Sequence, residues 1–544
     1  YIINMPGGLL NLVSYGNLNV IVNGNPSKTF FKTTYAKYTN FGLQKFRIDF
    51  DGLRTLRLTE DSHFRFKVPR YADLFMDTYF VITLPTIWSP ILNASLPNAQ
   101  AYNFQWIENI GSQLIRKVRF TIGSQLIYEF TGQYLYNMVQ RDFSEGKKKL
   151  FNEMTGNVPE LNDPANYMDR GGIYPNAYLD PSWNQSTQNI GPQPSIPSKT
   201  LYIPFNIWST LSSKLAIPLV SLQYNEMHIE VDCRPIQELF TIQNLDNTIA
   251  NNNDNINNRI QGDQNIEKYR FYRFLQPPPK SDLDGTKDDG YPITRTDWYA
   301  NIHLLSTYAF LSEDEVKVFA AKPQKYLIKD IHEENFYNIT GNQKTKINST
   351  GLVSSWMWYF QRSDVKLRNE WSNYTNWEYS NKLSFQVNGG DLSNNISYNK
   401  PYNVSSQRDI MLTWGLLLDG KVRENTFDAG VLNYVEKYIR TAGNAPSGLY
   451  CYNFCLTTDP FQYQPSGAIN LNKFNDIEFE YKTYLPQLDP SAQSFDICDG
   501  SGDIIGINKP VWRIYDYNYN LYVMEERYNI LSFESGQAGL MYAR

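Results

Sequence analysis

The feature that most constrains this chain is an internal echo. Residues 475–482 read NDIEFEYK after the lead-in QPSGAINLNKF, and residues 225–232, 250 positions earlier, read NEMHIEVD after AIPLVSLQY. Side chains of a β-strand alternate between its two faces, so Ile477, Phe479 and Tyr481 share one side and Glu478, Glu480 and Lys482 the other. Met227, Ile229 and Val231 stand in the same relation to His228, Glu230 and Asp232. A period of two with β-branched and aromatic residues on one face predicts a half-buried strand at both places. Before the second copy, Gln464, Pro465, Ser466 and Gly467 predict a turn: proline presets φ, and glycine tolerates the left-handed region. The echo continues, because DWYANIHLLSTYAFLSEDE (297–315) follows the first copy and VWRIYDYNYNLYVMEE (511–526) the second. Both open near a tryptophan, run aromatic and apolar, and end in acidic residues. One β-sandwich design used twice, with different loop lengths, is the expectation.

Length agrees with two units, since 544 residues exceed what one core supports. The 40 tyrosines and 30 phenylalanines, among many Asn, Gly and Pro, favour short strands and elaborate loops over helices. No apolar run reaches the ~20 residues that cross a bilayer. The opening YIINMPGGLLNLV lacks the basic start and cleavage site of a signal peptide. Lys and Arg are scattered, and the one compact cluster, Lys147-Lys148-Lys149, reads as a solvated loop, so nucleic acid is not an expected partner. Four cysteines make a poor disulfide framework and fit a reducing compartment. Asn-x-Ser/Thr triplets stand at Asn93, Asn184, Asn338, Asn348, Asn373, Asn395 and Asn403 and matter only in a secreted protein.

No active-site constellation emerges. The histidines are His63, His228, His303 and His332, and HEEN at 332–335 misses the second histidine of a zinc helix. Cys451 and Cys455 lack a CxxC spacing or a nearby histidine pair, and with Cys233 and Cys498 they read as buried free thiols. DICDGSGDIIG (496–506) lacks the ligand spacing of calcium loops and reads as a turn. The acidic pair Glu525-Glu526 would suit a glycosidase only at a separation that sequence does not give. The expectation is a non-enzyme with no cofactor and no metal.

Six ordered blocks resemble the major capsid proteins of nucleocytoplasmic large DNA viruses of eukaryotes. GGLLNLVSYGNLNVIVNGNPSKTFFKTTYAKYTNF (7–41) is similar to the family's opening, with Gly24, Asn25 and Pro26, then Thr39, Asn40 and Phe41, at matching places. The others are WIENIGSQLIRKVRFTIGSQLI (106–127), LAIPLVSLQYNEMHIEV (215–231), FLSEDEVKVFAAKPQKYLI (310–328), WYFQRSDVKLRNEWSNYTNW (358–377) and QPSGAINLNKF (464–474). The resemblance implies an all-β double jelly roll, two tandem eight-stranded antiparallel sandwiches with long surface loops. It also implies a homotrimeric, pseudo-hexagonal capsomer tiling an icosahedral virion shell, assembled in the host cytoplasm. Implied partners are neighbouring capsomers, minor capsid and penton proteins and a nearby internal membrane that the chain does not span, with host contact through outer loops. A carbohydrate-binding, lectin-like sandwich is the alternative.

The echo sets the expected divisions: a base segment at 1–24, a first sandwich at 25–311, a helical connector at 312–324 and a second sandwich at 325–544. Ser312 reads as the N-cap, with Glu315 three residues on, and Pro323 as the stop. Residues 143–200 and 236–296 read as long polar loops on the surface, with 244–265 the least able to bury apolar area.

Overall fold

The computed structural model describes residues 7–50, 52, 55–92, 100–175, 177, 193–243, 259–279, 290–376, 408–485, 495–498, 504–508 and 518–542. The chain divides into two units, Tyr1–Phe41 and Gly42–Arg544. In the first, α1 (Gly7–Val13) is followed by short helical turns at Asn17–Asn19 and Val20–Asn23, and none of the described residues is buried. Gly24 closes the last turn through its N–H on the Val20 carbonyl, 3.0 Å away, and a Cβ there would sit 2.6 Å from that same oxygen. The first strand starts at Phe41.

Sixteen principal strands build the rest. The first eight are β1 (Phe41–Ile48), β2 (Ser62–Lys67), β3 (Leu74–Leu84), β4 (Ile115–Ile122), β5 (Gln125–Phe130), β6 (Lys199–Pro204), β7 (Met227–Cys233) and β8 (His303–Leu311). The second eight are β9 (Gln324–Ile339), β10 (Asn342–Lys346), β11 (Leu352–Arg362), β12 (Met411–Leu418), β13 (Lys421–Asp428), β14 (Leu449–Asn453), β15 (Ile477–Thr483) and β16 (Tyr519–Glu534). One sheet of the first sandwich runs β1-β8-β3, with β6 on the far side of β3, and the other runs β2-β7-β4-β5. The second sandwich repeats this as β9-β16-β11-β14 and β10-β15-β12-β13. Each of the first eight of these strands therefore has its counterpart eight strands later. The echoed segments are β7 and β15, each second in its sheet: Ile229 pairs with Phe66 and Phe120, and Phe479 with Thr345 and Leu416. Each half is a jelly roll, whose paired sheets leave few edges open.

Alternation explains most of the burial. Met227, Ile229 and Val231 are buried, as are Ile477, Phe479 and Tyr481, while Glu230, Glu478 and Glu480 stay partly in solvent. β11 breaks the rule, since every residue from Val353 to Arg362 is buried. Its sheet is covered on both faces, which a continuous apolar run serves better than alternation. Trp356, Trp358 and Phe360 face the second sandwich's own core, where the rings of Trp358 and Trp414 stack at 5.0 Å. Met357 and Tyr359 point the other way and join one apolar cluster with the first sandwich's core.

The long connections differ from expectation. Residues 143–200 hold α3 (Glu145–Thr155), packed through Phe151 and Thr155 after the preceding helix α2 (Gly132–Asp142), and end in β6. Lys147–Lys149 lie on α3, not in a solvated loop, and Lys148 is buried, its ammonium donating to Glu145 and Asn444. Alternating strand patterns hide such a helix, whose apolar positions are few. Within 236–296, Phe240–Gln243 pairs with Gln105–Trp106 and Arg259–Ile260, and Phe271 and Phe274 are wholly buried. The end of the polar stretch 244–265 thus belongs to the body, while 244–258 lie outside the described residues, as does most of 499–517. The connector is α4 (Glu313–Ala321). Ser312 has N-cap geometry but its side chain makes no capping bond; Glu313, Asp314 and Glu315 instead place negative charge at the positive helix end.

Candidate functional site at the seam between the sandwiches

What a doubled sandwich can do depends on how its halves are joined. β5 runs straight into α2, whose residues are all buried except Gln140. Thr131 caps α2 by accepting from the Tyr134 N–H, and its own N–H and hydroxyl donate to Glu333 on β9 at 3.1 and 3.0 Å. At the other end of α2, Arg141 donates to Asp142 at 2.7 and 2.9 Å and to Glu526 on β16 at 2.7 Å. Glu526 also accepts from Tyr134 at 2.9 Å and from Ser355 on β11 at 2.8 Å, and Asp142 accepts from Thr458 at 2.6 Å. Arg141, Asp142 and Glu526 are each at most 3% exposed, so charges from both sandwiches meet out of water.

Burial would push the Glu526 carboxyl up, but Arg141 and Lys329, with the Ser355 and Tyr134 hydroxyls, hold it down at about 2. Burial pushes Asp142 up, with the Arg141 guanidinium opposing. Glu333 is raised by burial to about 6, with the Thr131 donors and Lys117 opposing and Glu129 adding to the rise.

A second clasp reaches the opposite way. After β11 the chain runs through residues 363–376 into the first sandwich. Asn369 donates to the Gln237 and Phe240 carbonyls, both at 2.8 Å, and the Trp371 indole donates to the Glu238 carbonyl at 2.9 Å. The Arg234 guanidinium lies 4.2 Å from the Trp371 ring centre, and Asn109 donates to Ser372 at 2.9 Å. Tyr374 donates to Asn137 of α2 at 2.6 Å. Arg362 and Arg368 bracket Asp364 at 2.6 and 3.0 Å; against the upward push of burial they hold its carboxyl at about 2. Two insertions, one from each half, therefore clasp reciprocally across a shared core. Such a joint couples the two sandwiches through buried hydrogen bonds and ion pairs. Glu525 and Glu526 point to opposite faces of β16, Glu525 accepting from the Trp356 indole at 2.8 Å.

The comparisons follow this division. Residues 29–276 match the model described as major capsid protein N-terminus, and residues 315–539 match large eukaryotic DNA virus major capsid protein. The chain belongs to the major capsid proteins of large eukaryotic DNA viruses. The major capsid protein of Phaeocystis pouchetii virus is 25% identical, with 99% of this chain and 100% of the relative covered. That of Paramecium bursaria Chlorella virus 1 is 24% identical over the same shares. Among solved structures, the PBCV-1 virus capsid superimposes with a TM-score of 0.61 at 17% identity, covering 95% of this chain and 100% of that one. The Faustovirus major capsid protein gives 0.59 at 12%, covering 93% and 92%. These two share the double jelly-roll fold. As a member of this family the chain has a structural role in the virion shell, and the carbohydrate-binding alternative finds no support among them.

In this capsid protein the turn at 464–467 makes none of the seam bonds given above. Gly467 has φ +140°, and a Cβ there would lie 2.8 Å from the Phe454 carbonyl oxygen. Ser466 beside it donates to the Thr457 carbonyl at 3.0 Å and accepts from the Thr457 N–H at 3.1 Å, so the turn is pinned to the segment after β14. Gly24, Asn25, Pro26, Thr39, Asn40 and Phe41 belong to the amino-terminal unit; Asn25 has φ +51° and Phe41 is 54% exposed. Cys233, Cys451 and Cys455 are free and buried. Asn338 and Asn348 are exposed, whereas Asn373 is buried and bonded to Glu370; Asn93, Asn184, Asn395 and Asn403 lie outside the described residues. Sequence reading missed Arg141, Asp142 and the partnership of Glu526. None of the family-like blocks holds Arg141, Asp142 or Glu526; the block at 358–377 holds the second clasp, matched to the family without a visible task.

Proposed function

We propose that three copies close into a ring whose six sandwiches form one near-hexagonal block, and that these blocks tile the shell. The observation that carries this reading is the seam: two sandwiches of one topology, locked by reciprocal buried clasps, make a rigid double-width unit. A ring of three such units repeats one heterologous contact and still presents six similar sides. Residues 1–24 lie at the base of the block, toward minor capsid proteins and the internal membrane, and penton proteins meet it at the vertices. The block forms in the host cytoplasm, performs no catalysis and binds no nucleic acid.

Light scattering of the purified protein tests this. The expected mass is about 190 kDa, three times 63.2 kDa, with a hexagonal outline in electron images. A monomer at micromolar concentration, or a trimer without that outline, would overturn the reading. Turnover of a glycan, ester or nucleotide that a single Asp, Glu or His substitution abolished would overturn the non-catalytic assignment.

A further inference from the structure

Among the described residues the duplicated fold contains one filled joint and two partly open halves of another. Each sandwich carries a helical insertion directly after the edge strand of its β2-type sheet. In the first it is α2, following β5. In the second it is a π-turn, Val431–Val435, running into α5 (Glu436–Arg440), following β13. α2 is buried against the outer face of the β9-β16-β11-β14 sheet. The rows it covers are Leu449–Tyr359–Tyr522 and Cys451–Met357–Met524, and Tyr359, Met357 and Met524 are at most 3% exposed.

Among the described residues the counterpart insertion has no such cover: Tyr434, Val435, Tyr438 and Ile439 are 64, 47, 90 and 60% exposed. They fall one turn apart, as two adjacent pairs on a single face. The counterpart face is the outer side of β8-β3-β6, with rows Pro204–Tyr79–Leu305 and Tyr202–Val81–His303. Val81 and His303 are already buried, at 1 and 8%, so the open part of this face is Tyr202, 42% exposed, with Pro204, Tyr79 and Leu305 half-buried. Like the filled rows, these place an aromatic or aliphatic side chain at most positions.

We propose that the 431–440 insertion of one copy docks on the outer β8-β3-β6 face of a second copy, reproducing between chains the joint that α2 makes within one. The occupant is a second copy because the chain already contains the same joint between the same elements. Plug and socket sit on opposite sandwiches, so the contact is heterologous and propagates around a ring. This inference rests on the trimer reading and assigns the residues that close it. Apolar helix residues packed at the centre of such an interface are where truncation or charge costs most.

The test uses the full chain. Tyr438→Asp with Ile439→Asp should raise the dissociation midpoint of the trimer about a hundredfold, as loss of a central hot spot does. Near-ultraviolet circular dichroism should stay unchanged, because Tyr438 and Ile439 are mostly exposed, at 90 and 60%. A second variant, Leu305→Cys with Ile439→Cys, treated with a short bismaleimide, should give covalent dimers and trimers on a denaturing gel beyond what each single variant gives. A trimer that survives both aspartates, or a double-cysteine trimer with no extra cross-linking, would overturn the docking and leave the trimer standing. A wild-type monomer would overturn both.

Discussion

Arg141 neutralises two buried carboxylates from different parts of the chain, Asp142 beside it and Glu526 on β16. Arg141→Met keeps the volume and removes the cation that both acids share, so it should cost about 3–5 kcal/mol in denaturant titration. Adding Glu526→Gln should return part of that loss; strictly additive losses would show that the two groups do not act together. The seam's acids also set a pH response. Glu526, depressed from 4.5 to about 2, stabilises above pH 4.5, and that contribution is lost as pH falls from 4.5 through about 2. Glu333 has the opposite sign: raised from 4.5 to about 6, its contribution is complete below pH 4.5 and lost as pH rises through about 6. Glu333→Gln, which cannot ionise, should therefore gain melting temperature relative to the parent between pH 4.5 and 6 and hold the gain above. A difference that stays flat across that window would refute the assignment. Gly467 is a simpler case. Its φ of +140° and the Phe454 oxygen at 2.8 Å exclude a β-branched side chain, so Gly467→Val should cost about 1–3 kcal/mol, read as a lower melting temperature.

Among the elements, β11 shows how one strand serves two cores. Its even-numbered residues from Trp356 to Phe360 fill the second sandwich, while Met357 and Tyr359 fill the seam. Met357→Glu places an unpaired charge in the seam alone. It should expose the α2 region to limited proteolysis while leaving tryptophan fluorescence from the Trp358–Trp414 stack unchanged; loss of both signals together would mean the cores are not separable. The echoed strands β7 and β15 were legible from sequence because each has one dry face and one wet face, and alternation records that difference. α2 and α3 were not. Gln133, Asn137, Arg141, Asp142 and Lys148 are buried on them, and polar residues buried with partners carry the same letters as polar residues in solvent. The same ambiguity made residues 259–279 read as surface loop, although Phe271 and Phe274 are wholly buried there.

For the whole molecule, the clasps predict cooperativity. Calorimetry should show one transition for both sandwiches, with equal calorimetric and van't Hoff enthalpies for the trimer-free chain; two resolved transitions would mean the seam does not couple them. The sequence by itself determined the fold class, the duplication and the equivalence of β7 with β15, because period-two burial is local and needs no knowledge of what lies across the core. It also carried the family, through blocks whose order survives where their tasks are invisible. Only the tertiary structure decided which face of the β9-β16-β11-β14 sheet is buried twice, that Glu525 and Glu526 serve different cores, and that Arg141 answers Glu526 from 385 residues away. Those facts depend on contacts between distant segments, and a buried ion pair is written in the chain as two ordinary charges until folding removes the water between them.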